Sequence, residues 1–147
     1  KNGRTFGIWK AAQAFEKDTP PGPLADDVTA ILQQWGQRWG GEAQWSSFLN
    51  KATLLHEVEE AFVAVGLLVD WLEHKGRAKS NVTVVDLCAG KGTFSILLSC
   101  LAARRPTLRS IISRIVMVEK ESLNWYHIHA ANEEASNGHV ALGFGAE

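Results

Sequence analysis

The sequence predicts an α/β protein: an open, doubly wound parallel sheet, cut short, preceded by a helical region. Three observations predict it. Before about residue 80 the apolar side chains recur at steps of three and four. After residue 81, two short apolar runs, Val82 to Leu87 and Arg114 to Glu119, enclose an apolar stretch of helical length. The first run opens into small residues, Cys88-Ala89-Gly90-Lys91-Gly92, the punctuation of a strand-to-helix junction. The expected division is therefore residues 1–80, helical, and residues 81–147, the first half of the sheet domain.

Each element has its own warrant. From Arg4 to Lys17 a weak helical pattern rests on Phe6, Trp9 and Phe15, and Thr19-Pro20-Pro21-Gly22-Pro23 stops it as a linker. Asp26 and Asp27 are placed to cap a second helix carrying Val28, Ile31, Leu32, Trp35 and Trp39, which Gly40-Gly41 end. A longer helix is expected from about Gln44 to Lys75, because Phe48, Ala52, Leu55, Val58, Phe62, Val65, Val69 and Leu72 keep helical spacing; Gly76 closes it. Val82–Leu87, a helix from about Thr93 to Arg104, and a strand Arg114–Glu119 fit a right-handed crossover with parallel strands. A helix from Ser122 to about Ser136 and a third strand, His139 to Phe144, extend the sheet. The chain begins without Met and stops at Glu147 with an edge unpaired and one face poorly covered, so a fragment of a larger sheet is expected.

Composition narrows the function. With 147 residues, 46% hydrophobic, 21% charged and a net charge of −1, the chain has the make-up of an ordinary globular domain rather than one that binds nucleic acid by charge alone. Cys88 and Cys100 are too few and wrongly spaced for a zinc site, and one of them sits in the glycine loop, so a reduced, intracellular protein, cytoplasmic or nuclear, is expected. Ala61 to Leu72 is too short and interrupted to span a bilayer.

The loop separates three readings by spacing. A phosphate-cradling loop of the ATPase kind needs Gly, four residues, then Gly-Lys-Ser/Thr; here the residue five before Gly90 is Val85 and Gly92 follows Lys91. A nicotinamide-dinucleotide loop needs a third glycine, and Ser95 stands there. What remains is an acid at the strand end, a small residue two later, then G-x-G: Asp86, Cys88, Gly90, Gly92.

On these residues the chain, from about Val82 to its C-terminus, resembles the class I S-adenosylmethionine-dependent methyltransferases. The resemblance implies a Rossmann-like sheet and a cofactor site formed by Asp86, Leu87, Cys88, Ala89, Gly90 and Gly92, with Asp86 facing the cofactor's ammonium. Cys88 stands where the family often has glycine. Glu119, closing the second strand, is implied as acceptor for both ribose hydroxyls, and Glu147 as the acid that meets the adenine amino group. The AGKG core with HEVEEA upstream looks most like methyltransferase-domain proteins related to RNA-modifying enzymes, so an RNA base or ribose ranks first as methyl acceptor, ahead of protein side chains and small molecules. Substrate-selecting and catalytic residues usually follow the fourth strand in the family, so the sequence names none. Two competing readings stand beside this one: a scaffold module that kept the loop without catalysis, and a nicotinamide oxidoreductase.

Other residues are read more plainly. His127 and His129 point about 200° apart on a helix and cannot share a metal; with Trp125 and Tyr126 they form a packing surface. Glu57 or His56 could line the cofactor pocket if the long helix packs over the loop, while a solvated face for His56, Glu57, Glu59 and Glu60 is the stronger reading. Arg104 and Arg105 offset a helix C-terminus. Trp35, Trp39 and Trp71 are read as core, and Lys120 as a solvated neighbour of Glu119.

Overall fold

The computed structural model describes residues 7–75, 81–122, 124–136 and 143–146. It is a mixed helix and sheet structure whose first half is helical. Helix α1, Gly7–Asp18, buries Ile8, Ala11, Ala12 and Phe15. Trp9, expected as an anchor, is only partly buried and lies over Gly36, where an added Cβ would stand 2.9 Å from its ring. Arg4 and Phe6 lie outside the described residues.

Helix α2, Pro23–Trp39, begins at Pro23 with Gly22 as N-cap. Proline suits that first position because the amide it lacks has no intrahelical partner there. Asp26 therefore falls in the first turn, and Asp27 is not a cap. Its carboxylate instead takes Arg104 Nε at 3.2 Å and Arg105 Nε at 2.8 Å. The arginines expected merely to offset a helix end thus tie it to α2.

The long helix expected over residues 44–75 is interrupted. A 3₁₀ turn, Ala43–Trp45, leads into the short α3, Ser46–Leu49, and only after a break does α4 run from Leu54 to Asp70, finishing in a wider π turn, Trp71–Lys75. Asn50 makes the break: its Oδ1 accepts the Gly7 N–H at 3.1 Å and its Nδ2 donates to Ser46 Oγ at 3.3 Å. An asparagine that bonds backbone in this way competes with helix continuation. Gly76 lies outside the described residues.

Strand β1, Val82–Leu87, and helix α5, Thr93–Arg104, fall where the sequence places them. A short helix α6, Pro106–Ile111, was not anticipated; it precedes β2, Ile112–Val118. Helix α7 covers Tyr126–Ser136 and β3 covers Gly143–Ala146; the start expected for the third strand, His139, lies outside the described residues. The three strands are parallel in the order β1-β2-β3. Val82 and Val84 with Ile115 and Met117 face the helices, whereas Val85, Leu87 and Val118 on the opposite face are 53%, 70% and 42% exposed.

One apolar core runs through both halves, from Ile8, Phe15 and Trp35 to Leu97, Leu101 and Ile115. Aromatic stacking dominates its N-terminal part: Trp39 and Trp45 are parallel at 3.7 Å, and Phe15 meets Phe62 edge-on at 5.3 Å. Trp71 departs from the core reading: it is 50% exposed, with Val63 and Leu67 on the outward side of α4. Among the described residues no helix is long and apolar enough to cross a membrane.

Candidate functional site

The loop between β1 and α5 turns sharply because three of its residues have left-handed backbone: Cys88 at φ 60°, Gly90 at 54° and Gly92 at 86°. Glycine adopts this region without steric cost, and cysteine does not. The two glycines serve different purposes. A Cβ on Gly92 would stand 2.6 Å from Met117 Cε and 3.2 Å from Ile128 Cδ1, so that glycine lets the loop lie against β2 and α7. A Cβ on Gly90 would meet nothing within 4 Å among the described residues, because that position faces open space.

The end of β2 pins the loop. Ala89 N–H donates to Val118 O at 3.1 Å, and Gly90 N–H donates to Glu119 Oε2 at 2.8 Å. Glu119 Oε1 accepts the Glu121 N–H at 3.2 Å. The Glu121 and Gly90 amides together hold the Glu119 carboxyl below the usual carboxylate range. Asp86, one residue before the end of β1, and Glu119, the residue after β2, thus stand at the C-terminal ends of adjacent parallel strands.

Beside the loop is a cavity of about 900 Å³, walled by Val84 to Lys91 from the strand and loop, by Thr93 and Phe94 from the first turn of α5, and by Ala61, Ala64 and Leu68 from α4. Asp86, Leu87, Cys88, Ala89 and Gly90 all border it, and Gly92 lies behind. Asp86 Oδ2 accepts the Ser95 hydroxyl at 2.6 Å. Burial raises the Asp86 pKa and the Glu119 charge adds to the rise, against the Ser95 bond. An anion in that position gains from a cation brought by a ligand.

The helical region closes the cavity's other side with a cluster of polar groups. Glu57, in the first turn of α4, accepts the Thr53 hydroxyl on Oε1 and the Thr93 hydroxyl on Oε2, each at 2.8 Å, and pairs with Lys51. Lys51 Nζ also reaches Thr93 Oγ1 at 3.3 Å and lies 4.8 Å from the Phe48 ring centre. Burial works to raise the Glu57 pKa, but the bonds from Lys51, Thr93 and Thr53 outweigh it and hold the carboxyl low. Burial lowers the Lys51 ammonium, with Glu57 opposing. Of the two residues weighed for this wall, Glu57 lines the cavity, while His56 points out to solvent with Glu60 at 3.2 Å. Lys51 and Thr93 were not foreseen; the signal available was a lysine six residues before Glu57, which a continuous helix would have turned away from it.

The loop is braced from behind. Lys91 Nζ donates to Ser47 O at 2.8 Å. His127, 2% exposed, stacks on Phe48 at 5.2 Å, and its Nε2 lies 2.7 Å from Lys91 O, so that nitrogen carries the proton, since a carbonyl only accepts. His127 therefore packs as expected, whereas Tyr126 is 68% exposed and His129 is exposed. Among the described residues no three His, Cys, Asp or Glu side chains gather as a metal site. Glu147 lies outside the described residues. No protein-family model, no curated protein and no solved structure matches the chain.

Proposed function

We propose that this chain is the cofactor-binding part of an S-adenosylmethionine-dependent methyltransferase with a Rossmann-like, doubly wound sheet. The observation that carries the reading is that Asp86 and Glu119 stand at the ends of adjacent parallel strands, with Gly90 bonded to Glu119 and bordering the same cavity as Asp86. The C-terminal edge of a parallel sheet is where open α/β folds bind ligands. The residues fit the cofactor's chemistry. Asp86 offers the ammonium a charged acceptor. Glu119 has lone pairs left beyond its backbone bonds for ribose hydroxyls. Gly90 leaves room where a side chain would intrude.

Bound there, the cofactor supplies a methyl group made electrophilic by its sulfonium. The chain's own part is to bind and orient, which accounts for much of such catalysis. An RNA base or ribose is the first methyl acceptor to test.

Titration calorimetry of the protein with S-adenosylmethionine, S-adenosylhomocysteine and NAD tests the reading. The two sulfur ligands are expected to bind, and NAD far more weakly. Gly90→Val should abolish binding by straining the turn and filling ligand space. Tighter NAD binding reverses the assignment to a nicotinamide enzyme. Wild-type affinity in Gly90→Val makes the loop structural only.

A further inference from the structure

The Lys51–Glu57 pair calls for an explanation that packing does not give. Its side chains are 12% and 32% exposed, and a partly buried ion pair stabilises a fold no better than apolar residues of the same volume. Both residues border the cavity, opposite the glycine loop. Glu57 has its two oxygens engaged by Thr53, Thr93 and Lys51, so it acts as a holder. Lys51 has three N–H donors and among the described residues spends two, on Glu57 and Thr93, which leaves one for a ligand.

The first turn of α5 brings this ammonium into relation with Asp86. Thr93 contacts Lys51, and Ser95, two residues on, holds Asp86. One helical turn therefore contacts a cation through Thr93 and an anion through Ser95, both on the cavity wall, and the helix N-terminus beside them favours negative ligand charge. An ammonium and a carboxylate on a single carbon, the end group of an α-amino acid, match that pair in charge.

We infer that Lys51, positioned by Glu57 and Thr93, receives the carboxylate of the ligand's amino-acid end, making the helical region before β1 part of the binding site. The inference rests on the cofactor reading above and adds the residue that distinguishes the intact amino-acid end from a truncated one.

The test measures calorimetric affinity for S-adenosylhomocysteine, its decarboxylated analogue and 5′-methylthioadenosine, which lacks the amino-acid end, in the wild type, Lys51→Met and Glu57→Gln. The wild type should prefer the carboxylated ligand over the decarboxylated one by about ten- to a hundredfold, the usual effect of one charged hydrogen bond. Lys51→Met should lose that preference while binding 5′-methylthioadenosine as the wild type does, which also reports an intact fold. Glu57→Gln should lose part of it. Equal loss for all three ligands in Lys51→Met, or a preference that survives it, overturns the inference. A wild type that binds all three ligands equally does so too, leaving the cofactor reading intact. If the wild type binds none of them, the cofactor reading falls and the inference with it.

Discussion

Alanine at Gly90 and at Gly92 should separate a glycine that serves a ligand from one that serves the fold. Both positions have positive φ, 54° and 86°, and an L side chain in left-handed backbone loses about 1–2 kcal/mol at each. At Gly92 the new methyl also meets Met117 Cε at 2.6 Å and Ile128 Cδ1 at 3.2 Å. Met117 is flexible enough to retreat, so the added strain lies at the low end of overpacking, about 1 kcal/mol. Gly92→Ala should therefore lower the unfolding free energy by about 2–3 kcal/mol and Gly90→Ala by about 1–2 kcal/mol. For a chain of this size each kcal/mol moves Tm by about 2–4 °C. Denaturant unfolding of the single variants and of their combinations with Met117→Val isolates the contact. In the Met117→Val background Gly92→Ala should become about 1 kcal/mol milder, whereas Gly90→Ala should not change. Calorimetry should show the reverse order for S-adenosylhomocysteine, with Gly90→Ala the more damaging. Equal destabilisation at both glycines with no coupling to Met117 would refute this division.

Asp86→Asn should raise Tm, because it removes a charge that burial and Glu119 disfavour while keeping an acceptor for Ser95, and should weaken S-adenosylhomocysteine by about ten- to a hundredfold; a lower Tm would show that the charge is well solvated. His127 has its pKa lowered by burial, with Lys51 and Lys91 adding to the effect against its bond to Lys91 O, so the unfolded chain binds that proton more readily than the folded one. Stability from this residue is present above the ordinary histidine value of 6.5 and is lost as pH falls through it toward the folded pKa. Melting curves of His127→Phe between pH 8 and pH 5 should show a shallower decline than the wild type, and parallel curves would remove His127 from the account. Trp45 is buried with its Nε1 unpartnered among the described residues, whereas Trp35 Nε1 lies 3.5 Å from Cys100 Sγ. Trp45→Phe removes that unpaired donor together with some packing volume and should be the milder of the two phenylalanine substitutions in chemical denaturation; the opposite order would mean that lost volume outweighs the donor.

Much of the strand–loop–helix unit was legible because its signals are local. A β-branched run, small residues and a long apolar run fix β1, the loop and α5 whatever else the chain does. The wall opposite was not, because its cause is tertiary. Asn50 ends α3 while its side chain holds Gly7, forty-three residues away, and spacing within 44–75 does not register such a bond. On an unbroken helix, six residues at about 100° each would leave Lys51 and Glu57 about 120° apart, so the pairing depends on the break. Asp27 was misread for a similar reason: the proline start that excludes it from the cap is local, but its arginine partners are not. Trp71 satisfies the helical period yet stays half exposed, since periodicity marks an apolar stripe without saying that a neighbour covers it. Helix α6 was signalled by Pro106, a favoured first helical residue, but six residues are too few to show a period.

The shared core also sets an order of events during synthesis. Asp27 and Arg104 are 77 residues apart, and α2 packs on α5. A ribosome adding about 5–20 residues per second needs about 4–15 s to cover that distance, before the exit tunnel's own delay. Through that interval the tryptophan face of α2 has emerged without the helix that later covers it, and α1 and α4 supply only part of the shelter. The nascent chain therefore presents a transient apolar surface on α2, the kind that holdase chaperones recognise. The sheet residues, made after α1 to α4, complete the fold of the helices that precede them.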